Sequence, residues 1–158
     1  MSTLATINND VEAQTAGLEI GGLADLLGFH VRLAQIAIYR DFAAAITEVD
    51  LTQKQFAVMQ IVAANPGPSQ IDIANLLDMD RASMMAIIDR LQNRRLIERR
   101  RSKDDRRRQE LYLTEEGQAL LARARDLVAD HEKKFTSRFS GSELKALFQA
   151  LRRLHRQT

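Results

Sequence analysis

From Leu18 to about Thr47, apolar residues return every three or four positions: Leu23, Leu26, Leu27, Leu33, Ala34, Ala37, Ile38, Ala45 and Ile46. That is the period of one helix face. A helix of this length reaches about 40 Å, more than a small domain buries by itself, which points to contact between subunits. A second stripe, Phe56, Met59 and Val62, follows Thr52, whose pairing with Gln55 has the form of a capping box. Asn65-Pro66-Gly67-Pro68 ends that helix, because two prolines and a glycine cannot continue it. Ser69 is placed to cap a short helix reaching Leu77, with Ile73, Ala74 and Leu77 inward. After Asp78-Met79, Asp80 caps a further helix running to about Arg94. Its inward stripe is Met84, Ile87, Ile88 and Leu91, and its opposite face carries Arg81, Ala82, Met85, Ala86 and Asp89.

Two short helices joined by a three-residue turn are the sequence form of a helix-turn-helix. Leu96–Arg101 and Arg108–Leu113 then read as two strands, with Leu111 and Leu113 alternating around Tyr112. Their polar tip, residues 102–107, makes the pair a basic hairpin. The expected fold is mainly α with a small β-hairpin wing, a winged helix-turn-helix. Thr114 with Glu115 and Glu116 opens a long helix whose carboxylates complement its dipole. Its stripe is Leu120, Leu121, Ala124, Leu127, Val128 and Phe135. Ser140 with Glu143 caps the last helix, lined by Leu144, Leu147, Phe148, Leu151 and Leu154.

Charge sharpens this picture. The 158-residue chain has a formal net charge of only +2. Between Arg90 and Arg108, however, ten basic residues face three acidic ones, a local charge of +7 on a remainder of −5. A polyanion would meet a basic face on a mildly acidic body. A hydrophobic share of 45% supports a globular chain. There is no cysteine, which removes thiolate catalysis, disulfides, sulfur-based zinc sites and thiol-oxidation sensing. Neither a signal peptide nor a membrane-spanning run is visible, so a cytoplasmic location is expected. His30, His131 and His155 show no ligand spacing, so neither a metal nor another cofactor is expected.

Asp105-Arg106-Arg107 and Leu111-Tyr112-Leu113-Thr114-Glu115-Glu116-Gly117 resemble the Asp-x-Arg…Leu-Thr-x-x-Gly signature of the multiple antibiotic resistance regulator (MarR) family. Gln70–Ala74, Asp80–Ser83 and Leu96–Arg99 resemble its helix-turn-helix, and the likeness extends from about Leu23 to the C-terminus. The resemblance implies a homodimer with intertwined terminal helices. Its two lobes would read a palindromic operator in successive major grooves of double-stranded DNA, about 34 Å apart. A small effector binding between the dimer region and the lobe would release DNA, making the protein a repressor. The chain then divides into an arm (1–17), a dimerisation helix (18–50), the DNA-binding lobe (51–113) and further dimerisation helices (114–158). Arg95 and Asp78 stand where the family commonly has glycine. A positive φ at Arg95 would cost about 1 kcal/mol, so a different helix end is expected there. Asp at 78 tolerates that conformation better.

On this frame Arg107 is expected in the minor groove, with Asp105 holding its guanidinium, and Arg101, Lys103 and Arg106 beside it. Arg81 is the candidate for guanine. Ser83 contacts a base or phosphate, or only its own backbone, while Ala82, Met85 and Ala86 face the groove. Ser69, Gln70, Arg90 and Arg94 are expected to position phosphates. Strand alternation puts Arg99 and Arg101 on one side and Arg100 on the other. Leu27–Arg32 and Tyr39–Phe42 are similar to family members that regulate phenolic-acid catabolism, whose effectors are aromatic carboxylates or coenzyme A thioesters such as hydroxycinnamoyl-CoA. The effector pocket is expected to include Phe29, His30, Arg32, Tyr39, Arg40, Phe42, Phe56 and Met59. His30 also reads as an interface histidine with a satisfied hydrogen bond, and the phenylalanines and Met59 as core.

No nucleophile–base pair, carboxylate cleft or phosphate loop appears, so an enzyme is not expected. Two alternatives stay open. One is a helical interaction module whose basic hairpin binds an acidic protein. The other is a regulator answering to a different small lipophilic ligand.

Overall fold

The structure, a computed structural model, describes residues 18–102, 105 and 107–155. The arm, Lys103 and Arg106 lie outside the described residues. In chain order the elements are α1 (Leu27–Ala45), α2 (Gln53–Ala64), α3 (Gln70–Leu76), α4 (Arg81–Asn93), β1 (Ile97–Arg101), β2 (Gln109–Leu113), α5 (Glu115–Thr136) and α6 (Gly141–His155). Short 3-10 turns cover Gly21–Asp25 and Thr47–Val49. The chain divides into two compact units between Arg40 and Asp41.

In the first unit the long helix starts later than its apolar period suggests. Gly21 has φ +53°, and the 3-10 turn after it ends at Leu26 in extended backbone. An extended residue cannot propagate the i to i−4 ladder, so α1 begins at Leu27 and spans 19 residues, roughly 28 Å. Leu23, Leu26, Leu27, Val31, Leu33, Ile36 and Ile38 are all exposed.

The second unit holds the core. Val58, Met59, Ile73, Met84, Ile88, Leu91, Ile97, Leu111 and Leu121 are almost wholly buried, drawn from α2 through α5. The caps are those the side chains prescribe. Thr52 and Gln55 form a reciprocal capping box, as do Ser69 and Asp72, and Asp80 accepts from the Ser83 amide at 2.8 Å. Ser140 and Glu143 cap α6 in the same way.

Both helices of the helix-turn-helix end in a left-handed residue. Asp78 has φ +49°; its amide donates to the Asn75 carbonyl, and the Met79 amide donates to Ala74. Arg95 has φ +57°, with Arg95 N–H donating to Gln92 and Leu96 N–H to Leu91. Each is a Schellman ending, usually made with glycine. The expectation that the helix ends differently at Arg95 is therefore overturned. Burial of Leu96 against the core and the Thr114 hydroxyl, which donates to the Arg95 carbonyl at 2.6 Å, hold the residue in that conformation.

β1 and β2 pair antiparallel, with Ile97 opposite Leu113 and Arg101 opposite Gln109. The Leu111 amide donates to the Pro68 carbonyl at 3.0 Å, joining the hairpin to the segment before α3. Thr114 caps α5 by accepting from Gly117 N–H at 2.9 Å. A Cβ on Gly117 would lie 2.0 Å from the Leu96 carbonyl oxygen, so the start of α5 can sit there only with glycine.

Candidate nucleic-acid and effector sites

α4 buries Met84, Ile88 and Leu91 and leaves Arg81, Ala82, Ser83, Met85 and Ala86 exposed. Its start is rigid, because the Asp80 carboxylate accepts from Ser83. The Ser83 hydroxyl and then its backbone N–H hold the Asp80 pKa below the ordinary carboxylate value. Ser83 is thus tied to Asp80 while its side chain stays on the exposed face of α4. Arg81 has no partner among the described residues, and the side chains beside it are small or apolar, which leaves the face open to a groove.

The arginines of the basic segment separate into two sets. Arg99 turns back onto α4, where it pairs with Asp89 and Gln92. Arg100 pairs with Glu98 and lies 4.6 Å over the Tyr112 ring, on the other side of the strand as alternation requires. Arg108 reaches Asp72 of α3 at 2.9 Å. Arg94 donates to the carbonyls of Asp50 and Val49, the latter at 3.2 Å, so this guanidinium clamps the turn before α2 instead of standing free for a phosphate. Arg90, Arg101 and Arg107 are exposed, without an acidic partner among the described residues.

Asp105 is used differently from the expected side-chain clamp. Its carboxylate accepts from the backbone N–H of Arg107 at 2.9 Å, and its carbonyl from Arg108 N–H at 2.9 Å. Asp105 therefore shapes the turn, since the two backbone bonds close a tight bend that a carboxylate two residues away fits, and the Arg107 guanidinium has no acidic partner among the described residues. Ser69 is likewise engaged: its hydroxyl donates to Asp72 at 2.8 Å, and its N–H and hydroxyl hold the Asp72 pKa down. Gln70 is partly buried at the start of α3.

The eight residues expected around an effector fall on both units. In the first, Phe29 and His30 meet edge to face at 5.9 Å, and His30 Nε2–H donates to the Ala24 carbonyl at 2.7 Å. This local bond pins the turn preceding α1. Arg32, Tyr39 and Arg40 are exposed. In the second unit, Phe42 and Phe56 meet edge to face at 6.0 Å, and Met59 is fully buried as core.

The histidine that sequence reasoning passed over is His131, whose side chain is 0% exposed. Its Nδ1 lies 2.9 Å from Asp41 Oδ2, and its ring stands against Phe42 and Phe135. His131, then Lys134, hold the Asp41 pKa below the ordinary value. The available signal was spacing: His131 continues the stripe Ala124, Val128 and Phe135 at three- and four-residue steps.

A sequence profile of the MarR family matches residues 49–108, which are the lobe from the turn before α2 to the wing. A transcriptional regulatory protein for the hcr operon of Thauera aromatica is 39% identical over 143 residues, covering 90% of this chain and 86% of that protein. The solved structure of the transcriptional repressor CouR bound to a 23-mer DNA duplex superposes with a TM-score of 0.84 at 39% identity, over 88% of this chain and 99% of that one. CouR bound to p-coumaroyl-CoA gives 0.81 at 37% identity, over 89% of this chain and 99% of that one. With the winged helix, the wing signature and relatives of this closeness over nearly its whole length, the chain belongs to the MarR family of transcriptional regulators.

Proposed function

We propose that the protein is a homodimeric repressor of an operon for aromatic-acid catabolism, released from a palindromic operator by an aromatic acyl-CoA thioester. The carrying observation is the open cationic set on the winged lobe: Arg81, Arg90, Arg101 and Arg107 are exposed, while neighbouring arginines are tied to acidic residues or carbonyls. Arg81 reads a base edge from the start of α4, Arg107 enters the minor groove from the wing, and Arg90 and Arg101 neutralise phosphates. The likeness to a repressor solved with both DNA and p-coumaroyl-CoA supports the effector class. Exposed Leu147, Phe148, Leu151 and Leu154 on α6 support a second copy as partner, since a monomer rarely leaves such a stripe in water.

The test is binding of the upstream region of the protein's own operon, measured across salt concentration and with p-coumaroyl-CoA. Affinity falls steeply with salt, and Arg107→Ala reduces the slope by about 1 through loss of one phosphate-region contact. The acyl-CoA lowers operator occupancy at constant salt. Binding that is insensitive to salt and indifferent to Arg107 returns the hairpin to a protein-binding role.

A further inference from the structure

We propose that His131 is the specificity-determining residue of the effector site, accepting a hydrogen bond at Nε2 from a hydroxyl group on the effector's aromatic ring. The inference rests on the effector reading given above and adds to it the group that is read and the atom that reads it.

Nε2 of His131 is buried and has no hydrogen-bond partner among the described residues. Its nearest acidic atom, Glu132 Oε1, is 3.9 Å away on an exposed side chain, beyond hydrogen-bond distance. A buried polar atom left without a partner forfeits its hydration with nothing in return, so such atoms in a native fold call for a specific reason. The opposite edge of the ring is held firmly. Asp41 Oδ2 lies 2.9 Å from Nδ1, and Lys134 Nζ reaches the same carboxylate at 3.0 and 3.3 Å. An ionised carboxylate only accepts, so Nδ1 donates to Asp41, and of the two neutral tautomers this is the one whose lone pair lies at Nε2. That atom selects a donor.

The surroundings select an aromatic one. Phe42 stands perpendicular to the His131 ring at 5.5 Å, Phe135 meets it at 5.2 Å, and Phe56 meets Phe42 at 6.0 Å. Rings in this edge-to-face arrangement favour a further aromatic group over an aliphatic chain. A phenolic ring supplies both features: a π face for the phenylalanines and an O–H for Nε2. The same geometry gives an unsubstituted ring the aromatic contacts and leaves Nε2 unmatched, which is how a site built for a hydroxyl rejects its absence.

The experiment compares operator release by 4-hydroxycinnamoyl-CoA and by cinnamoyl-CoA, which differ only in that hydroxyl. The native protein prefers the hydroxylated thioester by about tenfold or more. In His131→Phe, which keeps an aromatic ring and removes the acceptor, the preference collapses to about one. The ratio is taken within each protein, so altered stability or operator affinity does not enter it. Should His131→Phe not fold, the ¹⁵N resonance of His131 Nε2 in the native protein gives the same answer. It moves on titration with the hydroxylated thioester and stays with the other. A preference that survives His131→Phe, or an Nε2 resonance indifferent to the hydroxyl, overturns the assignment while leaving the effector reading intact. Release by neither thioester from an operator that the protein does bind overturns the effector reading itself, and the role of His131 with it.

Discussion

The winged lobe and the terminal helices are built by opposite rules. In the lobe, α2 to β2, apolar stripes are covered, helix ends are capped by side chains, and much of the charge is tied down locally. In α6 the stripe Leu147, Phe148, Leu151 and Leu154 stays 37–57% exposed, and in α1 Leu27 and Val31 stand open at 61% and 41%. The lobe supplies its own partners, while the terminal helices wait for theirs. Under the proposed function, this division would let the reading head keep its shape while the surfaces that set its position are left to an association that an effector biases.

The largest effect expected from breaking this contrast is on association. Phe148→Asp together with Leu151→Asp places two charges on the exposed α6 stripe, and sedimentation should show a monomer. Operator affinity should fall by about a hundredfold or more, because the second half-site is no longer held at high effective concentration. The lobe's own melting should persist; if the variant stays dimeric, α6 is not the association face.

Next in size is Gly117→Ala. The added Cβ meets the Leu96 carbonyl, and backbone cannot rotate aside as a side chain can. The start of α5 must lift, weakening the Thr114 amide bond to Leu96 at 3.2 Å and the Thr114 hydroxyl bond to Arg95. A loss of about 3 kcal/mol is expected, lowering Tm by roughly 6–12 °C in calorimetry. A Tm within 2 °C of the native protein would mean that the close approach is relaxed in solution.

The smallest effect runs the other way. Arg95→Gly removes the left-handed strain of φ +57° and should stabilise the fold by about 0.5–1 kcal/mol in urea unfolding. The exposed Arg95 side chain makes no hydrogen bond or ion pair among the described residues that the substitution would forfeit. Destabilisation would show that arginine's smaller loss of backbone entropy outweighs its strain.

Much of the fold that carries the candidate site was legible in the sequence, because the information was local. Thr52 with Gln55, Asp80 with Ser83 and Ser140 with Glu143 lie within one helical turn, so the residue types announce their bonds. The recognition face of α4 follows from its period of 3.6. What misled was also local in appearance. The ten basic residues of the wing region look equivalent along the chain, and the apolar run before Leu27 looks like more of α1.

Sequence alone therefore determined the winged helix, its caps, the wing signature and the basic segment, since each is written in neighbours a few residues apart. Tertiary structure decided which cations remain available. Arg108 meets Asp72 across 36 residues, Arg94 meets Val49 across 45, and His131 meets Asp41 across 90. Periodicity carries no information about such pairs. They exist because folding brings distant side chains within hydrogen-bond reach, and in the low-dielectric interior a buried imidazole must take whatever partner that approach supplies.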